Sequence, residues 1–591
     1  MDKSTRNAIE RATQQARNLL EEDFSSQLEG TFDVLRSGVV GTSGGAHLSV
    51  RQKFHRDKIL ATIEHKRAAG MEAIEAVTDY VRDAAFTTLN RFVALKMLEA
   101  RDLVQECITK GEQSAGYREF CGMAPGLVLL PDAAGYRLYI ESLLDELSTE
   151  IKVLFDRRDA SSVLWPKRQT FDALLEALNT ADLAQVWREE ESIGWVYQFF
   201  NSPEERDAAK RQKRVPESGR EISLRSQYFT PKHVVQFLMD NTLGVIWADM
   251  HSTHSASGTP SSFMIAPDTS ASISRQLRDP RDIRVLDPAC GSGHFLLYAF
   301  DLYLSFYQDA WADDASPPSE ATSRTLREDY PTRASLFAEL PSLILRHNLY
   351  GVDLDVRCAQ IASLALWLRA QRAYRDLEVA RGERPAISRT NIVVAAPIAA
   401  KHAVTKSFLE TLRPEVASIF QVVLSEMEIA GQAGVLLRIE DKLRDAIKAT
   451  VGRHGDLFRK TDEEAWVSTE ESLISALGSY LGGGASGDQM RRHLFSDDVA
   501  HGLDFIDVCR QRYDAVVLNP PYTEVGGALG RYLRQSYTEN WTNLYSAFIE
   551  RALELSRGRV GVVCSDSILT GYRARRCDSW VRTRVEVAAC P

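Results

Sequence analysis

The spacing of apolar and polar positions changes character near residue 215. Before it, apolar residues recur at helical intervals: Phe86, Leu89, Val93 and Met97 share one face, and residues 51–110 contain no proline. A glycine-rich break, Gly38 to Gly45, precedes that run. The aromatic segment Ile193-Gly-Trp-Val-Tyr-Gln-Phe-Phe200 closes the region and is expected to pack against the next domain. Residues 203–220 read as a charged, exposed connector. After it, short apolar runs of β-favouring residues alternate with amphipathic helices. The runs are 283–287, the stretch ending at Asp353, 390–395, 514–518 and 559–564; the helices run to about Tyr307, to about Ala373 and over 544–555. This alternation predicts an α/β fold with an open, Rossmann-like sheet, a helical N-terminal domain and a helical insertion. The boundaries that follow are 1–215 for the helical domain, 216–400 and 509–576 for the two halves of the sheet core, 401–508 for the insertion, and 577–591 for a tail without recognisable pattern.

Composition narrows the class. The 591 residues exceed what one core accommodates, and 44% apolar with 26% charged residues is the balance of a globular protein. No signal peptide or bilayer-length apolar run is evident, so no membrane role is expected. Eight scattered cysteines without CxxC or Cys/His pairing suggest reduced thiols in a cytoplasm and no metal site. The net charge of −10 argues mildly against a nonspecific nucleic-acid coat, though it leaves room for a local basic groove.

The chemistry concentrates in four places. In Tyr513-Asp-Ala-Val-Val-Leu-Asn519-Pro520-Pro521-Tyr522, a buried strand stops abruptly at two prolines, whose missing amides leave nearby carbonyls free. An amide side chain, a rigid carbonyl and an aromatic face then meet at a strand's carboxyl end, where open α/β sheets bind ligands. That trio suits methylation of an exocyclic amine. The Asn519 oxygen and the Pro520 carbonyl would accept the two N–H bonds of adenine N6, and Tyr522 would stack on a base turned out of the helix. Upstream, Ser226-Gln-Tyr-Phe229-Thr230-Pro231 opens a helix, with Thr230 expected as N-cap and Pro231 at the first helical position. Asp287-Pro288-Ala289-Cys-Gly291-Ser-Gly293 follows a strand and precedes a helix, so the glycines permit close ligand approach and Asp287 can pair with an ammonium group. Asp353 ends the second strand, the usual place for a ribose-binding acid, while Asp355 reads as the cap of the next helix. A fifth pattern, Glu64-His65-Lys66, has the E-x-K spacing of restriction nucleases, but it lies in a helical run without a partner strand and reads as a solvated helix face.

In this order the motifs resemble the amino-methyltransferases of restriction-modification type that act on adenine N6 in DNA, and the resemblance covers roughly 225–570. Within that group the chain is most similar to the BREX phage-exclusion (PglX-like) methyltransferases, through Ile193–Phe200, residues 348–370 and Asn543-Leu-Tyr-Ser-Ala-Phe-Ile-Glu-Arg551. The resemblance implies S-adenosylmethionine as cofactor and double-stranded DNA as substrate, with other defence-system proteins as partners. It places Phe229, Thr230 and Pro231 at the methionine end of the cofactor, and Asp287, Pro288, Ala289, Gly291 and Gly293 around its amino-acid moiety. Asp353 would bind the ribose, and Asn519, Pro520, Pro521 and Tyr522 would hold the flipped adenine, with no metal. Two other readings remain: a protein glutamine methyltransferase, which also uses N-P-P-Y to hold a planar amide, and a non-catalytic cofactor-binding scaffold. Members of this group normally continue into further strands and a DNA-recognition domain. With the pattern lost near Cys577, an impaired, truncated chain is expected.

Overall fold

The computed structural model describes residues 3–41, 45–211, 216, 219–226, 230–251, 263–265, 275–387, 389–398, 403–451, 462–481, 486–538 and 540–565. Phe229, most of the Ser/Thr-rich stretch 251–274, and the tail 577–591 lie outside them. Among the described residues no single helix is long and apolar enough to cross a membrane. The chain forms two compact units. One gathers Met1–Glu205, Ile398–Leu424 and Thr450–Ala500; the other gathers Arg206–Pro397, Ser425–Ala449 and His501–Pro591. The stretch 401–508, expected as one insertion, is therefore divided between them. Helical periodicity identifies each helix but not the core it shares.

The first unit is helical. Its α1 (Lys3–Gly30), α2 (Val50–Ala68) and α3 (Ala73–Ala100) come in sequence. The expected apolar face of α3 is buried, but so is every residue from Ala84 to Leu98, so this helix is enclosed on all sides. Of its buried polar side chains, Arg91 donates to the carbonyls of Leu154 and Asp156 at 2.8 and 2.9 Å. The aromatic helix α4 (Ser192–Phe200) packs on α1 and α3 of this unit. Phe86 of α3 meets Phe200 edge-on at 5.0 Å and Tyr197 at 5.9 Å, and Arg17 of α1 donates to the Phe200 carbonyl at 2.8 Å. The expected connector begins as a helix, Pro203–Arg211, pinned by Glu205 to Arg17 and Arg82. Burial opposes ionisation there, yet the Arg17 hydrogen bond and the Arg82 charge pull the Glu205 carboxyl down to about 2. Glu64-His65-Lys66 does lie on a helix, α2, with Glu64 exposed as expected, and all three side chains are also ion-paired. Lys66 meets Asp79 and Asp83 at 2.6 Å each, His65 meets Asp498 at 3.0 Å, and Glu64 meets Arg491 at 2.6 Å.

The second unit is built on an all-parallel five-stranded sheet. Its strands are β1 (Val285–Asp287), β2 (Leu349–Asp353), β3 (Asn391–Val394), β4 (Tyr513–Leu518) and β5 (Ser556–Val562), in spatial order β3-β2-β1-β4-β5. All six β4 residues are buried, which is why this strand reads as a continuous apolar run. Its helices include α5 (Lys232–Met239), α6 (His294–Ala312), α7 (Arg333–His347), α8 (Val356–Asp376), α9 (Gly527–Ser536) and α10 (Leu544–Leu555). Right-handed crossovers put the helices after β1 and β2 on one face and the helix after β4 on the other. The strand order therefore reverses between β1 and β4, which creates a crevice at their carboxyl ends.

Two ionic clusters, each centred on a buried charge, fix this unit, and neither has a local sequence signal. At the amino end of β4, Asp514 takes Arg278 at 2.6 Å, Arg557 through two bonds of 2.9 Å, and the Arg284 amide at 2.9 Å. On α10, the fully enclosed Arg551 grips Glu440 through bonds of 2.6 and 3.0 Å and donates to the Val435 carbonyl at 2.8 Å. The segment returning from the helical excursion is thereby tied to the helix behind β4.

Candidate functional site

The site is assembled at the crevice from three strand ends and one helix start. β1 ends where Asp287 meets Pro288, which has no amide to continue a ladder. The loop that follows turns on two glycines in the left-handed region, Gly291 at φ +53° and Gly293 at φ +85°. A Cβ on Gly293 would lie 3.3 Å from that of Ala362, so this glycine lets α8 approach closely. A Cβ on Gly291 would meet nothing within 4 Å, leaving open space beside the loop.

Two carboxylates face this loop. Asp287 is 1% exposed and accepts the Ala289 amide at 3.2 Å. Asp353, at the end of β2, accepts the amides of Gly291 and Asp355, each at 2.9 Å, and so ties the glycine loop to the second strand. Among the described residues neither acid is ion-paired. Burial, reinforced by the neighbouring Asp353 charge, pushes Asp287 up to about 8. Asp353, still partly open to solvent, rises to about 6, chiefly through burial, which its two amide donors only partly oppose. An acid pair without a cation, beside a glycine cradle with open space, fits a ligand that carries positive charge and hydroxyl donors. Asp355 is the α8 N-cap, as its position in sequence implies, accepting from the Arg357 amide at 3.0 Å.

Across the strand reversal, β4 delivers Asn519. Register pairs Leu286 with Val516, which sets Asn519 about 8 Å from Asp287 by strand spacing and rise. Its Nδ2 donates to Thr230 Oγ1 at 3.1 Å, whereas its Oδ1 is buried with no hydrogen-bond partner among the described residues. Thr230 is thus not the helix cap: α5 begins at Lys232 with Pro231 as N-cap, and no side chain caps it. The hydroxyl expected to satisfy a helix amide accepts from an asparagine 289 positions away instead. Pro520 is buried and Pro521 half-buried. Tyr522 is 43% exposed, its hydroxyl donates to the Val563 carbonyl at 2.6 Å, and its ring lies 6.0 Å from that of Tyr545. That bond just past the end of β5 anchors the hydroxyl while the residue stays exposed.

Sequence reasoning did not anticipate His294, the first residue of α6. Its Nδ1 lies 3.0 Å from Ser292 Oγ, and burial lowers the ring to about 4, so it is neutral at physiological pH. Its position directly after the second glycine was the only available signal.

The profile of the Eco57I restriction-modification methylase family matches residues 347–586, and that of the MmeI DNA-methyltransferase domain matches 266–420. The first contains Asp353 and the Asn519 loop and extends past Arg576 into the tail where no pattern was expected; the second contains Asp287 and the glycine loop. The adenine-specific methyltransferase BrxX of Escherichia coli O9:H4 (strain HS) is 24% identical over 531 residues, 83% of this chain and 40% of its own length. The adenine-specific methyltransferase PglX of Lacticaseibacillus casei (strain Zhang) is 24% identical over 637 residues, 94% of this chain and 46% of its own. A putative type II restriction enzyme and methyltransferase of Methanocaldococcus jannaschii is 38% identical over 97 residues, 16% of this chain and 7% of its own. This chain thus has adenine-specific methyltransferases as homologues, and it spans less than half the length of BrxX and PglX.

Proposed function

We propose that this chain carries the catalytic sheet of a methyltransferase that moves a methyl group from S-adenosylmethionine to adenine N6 in double-stranded DNA, within a phage-defence system of BREX or restriction-modification type and in the cytoplasm. The observation that carries this reading is the buried oxygen of Asn519 at the switch point of the sheet, without a partner among the described residues. A buried acceptor left without a donor costs roughly 1–3 kcal/mol, a cost that an incoming amine relieves.

The residues fit the cofactor. Asp287 offers an unpaired carboxylate to its ammonium group, Gly291 leaves room for its amino-acid moiety while Gly293 lets the loop turn against α8, and Asp353 offers acceptor capacity to its ribose. S-adenosylmethionine supplies an electrophilic methyl group when bound. The chain's own residues orient the acceptor. Asn519 Oδ1 and the Pro520 carbonyl take the two N6–H bonds, which favours a pyramidal nitrogen with its lone pair turned toward the donor. The exposed Tyr522 stacks on the extruded base. Catalysis rests on positioning and preorganised acceptors.

The test is methyl transfer from labelled cofactor to unmethylated DNA, RNA and protein in parallel. Label at N6 of adenine in DNA supports the proposal; label on protein glutamine alone, or cofactor binding with no transfer to any of the three, overturns it.

A further inference from the structure

We infer that Thr230 is a positioning residue for the reaction proposed above: its hydroxyl oxygen holds the Asn519 amide by its nitrogen and so presents the amide oxygen, rather than the NH2 group, to the substrate amine. An asparagine side chain has nearly the same shape when its oxygen and nitrogen are exchanged, so its neighbours decide which end faces the pocket. Here the neighbour is Thr230, 9% exposed, with Oγ1 3.1 Å from Asn519 Nδ2; its hydroxyl can serve either end, so what each orientation leaves unpaired makes the choice.

The alternative orientation is worse on two counts. With Asn519 turned over, the Thr230 hydroxyl would donate to Oδ1 and the NH2 group would be left in the buried position that Oδ1 now occupies. Orphaned N–H donors are rarer and more costly in protein interiors than an under-satisfied carbonyl oxygen. An NH2 group aimed at the pocket would also confront a substrate NH2, donor against donor. Thr230 is free for this task because it does not cap α5, where Pro231 takes the cap position. It is held in place because α5 packs on β5, with Leu238 lying against Gly561.

This assignment differs in its consequences from a role for Thr230 at the cofactor. A cofactor-binding hydroxyl would affect cofactor affinity; a positioning hydroxyl affects turnover. In the full chain, Thr230→Val keeps the side chain's shape and removes the acceptor. It should lower kcat roughly tenfold, the effect of one neutral hydrogen bond, with cofactor Kd unchanged within about twofold. Thr230→Ser should restore the rate. Cofactor affinity lost with kcat retained overturns the inference and leaves the proposed function standing.

If the wild-type chain methylates no adenine, the proposed function itself fails, and the contact is then decided without turnover. In protein labelled with 15N at asparagine, the side-chain NH2 pair that vanishes in Asn519→Asp should move upfield in Thr230→Val and stay in place in Thr230→Ser. An unmoved pair in Thr230→Val overturns the inference whatever the activity.

Discussion

At Asn519 the two ends of one amide have separate tasks, the nitrogen tethered within the protein and the oxygen left for a ligand. Asn519→Ala should therefore reduce methyl transfer by about a hundredfold or more, the scale for one preorganised hydrogen bond at a reacting centre, while cofactor affinity measured by calorimetry stays near wild type. A collapse of that affinity would place Asn519 at the cofactor instead. Asp287 behaves differently because its carboxyl is pushed up to about 8 by burial, against about 4 in an unfolded chain. Between those values the folded protein holds a proton that the unfolded chain has released, so this group makes stability fall as pH rises from about 4 to about 8. Asp287→Asn removes that slope. It should melt above wild type at pH 8, by about 2–4 °C per kcal/mol recovered, with the gap closing toward pH 4, while losing cofactor binding. Equal melting temperatures for the two proteins across that range would count against a buried, unpaired acid. The same carboxyl should lose its proton when an ammonium group binds beside it. At pH 7, binding enthalpies in phosphate and Tris would then differ by nearly one proton's worth of buffer ionisation heat.

At the level of elements, the glycine loop and the β2 end act as one device, since Asp353 accepts the Gly291 amide. Asp353→Ala should weaken the cofactor by about 1.5–3 kcal/mol, because it removes a charged acceptor and loosens the loop together; titration calorimetry reads this directly. The two glycines should respond differently to alanine. Gly293→Ala combines left-handed strain with a 3.3 Å approach to Ala362, so it should lower the unfolding midpoint in urea. Gly291→Ala has only the strain, about 1 kcal/mol, since its Cβ enters open space. That space is where the cofactor is proposed to lie, so Gly291→Ala should bind it poorly while remaining nearly as stable as the parent. Tight binding by Gly291→Ala would move the cofactor away from this loop.

Across the whole molecule, stability of the sheet unit depends on pairs that join distant parts of the chain. Glu440→Ala leaves the buried Arg551 with only the part-exposed Glu554 at 3.3 Å and should cost about 3 kcal/mol in chemical denaturation, whereas a rim pair such as Arg444 with Asp441 should cost under about 1 kcal/mol. What the sequence determined by itself is what neighbouring residues can encode. The apolar run of β4 stopped by Asn-Pro-Pro, the glycine turn after β1, the acid ending β2 and the Asp355 cap follow from backbone chemistry within a few positions, and each stands in the structure where the pattern put it. The partners of those elements were not legible. Thr230 reads locally as a helix cap and becomes the acceptor for Asn519, 289 residues on; the aromatic helix Ser192–Phe200 turns inward to Phe86; and residues 401–508 divide between two cores. Each of these outcomes depends on which buried surface or unpaired group lies closest once the chain is compact. A hydroxyl, a ring or an apolar helix face can satisfy many partners equally well in sequence, and only tertiary packing, by closing off the others, selects one.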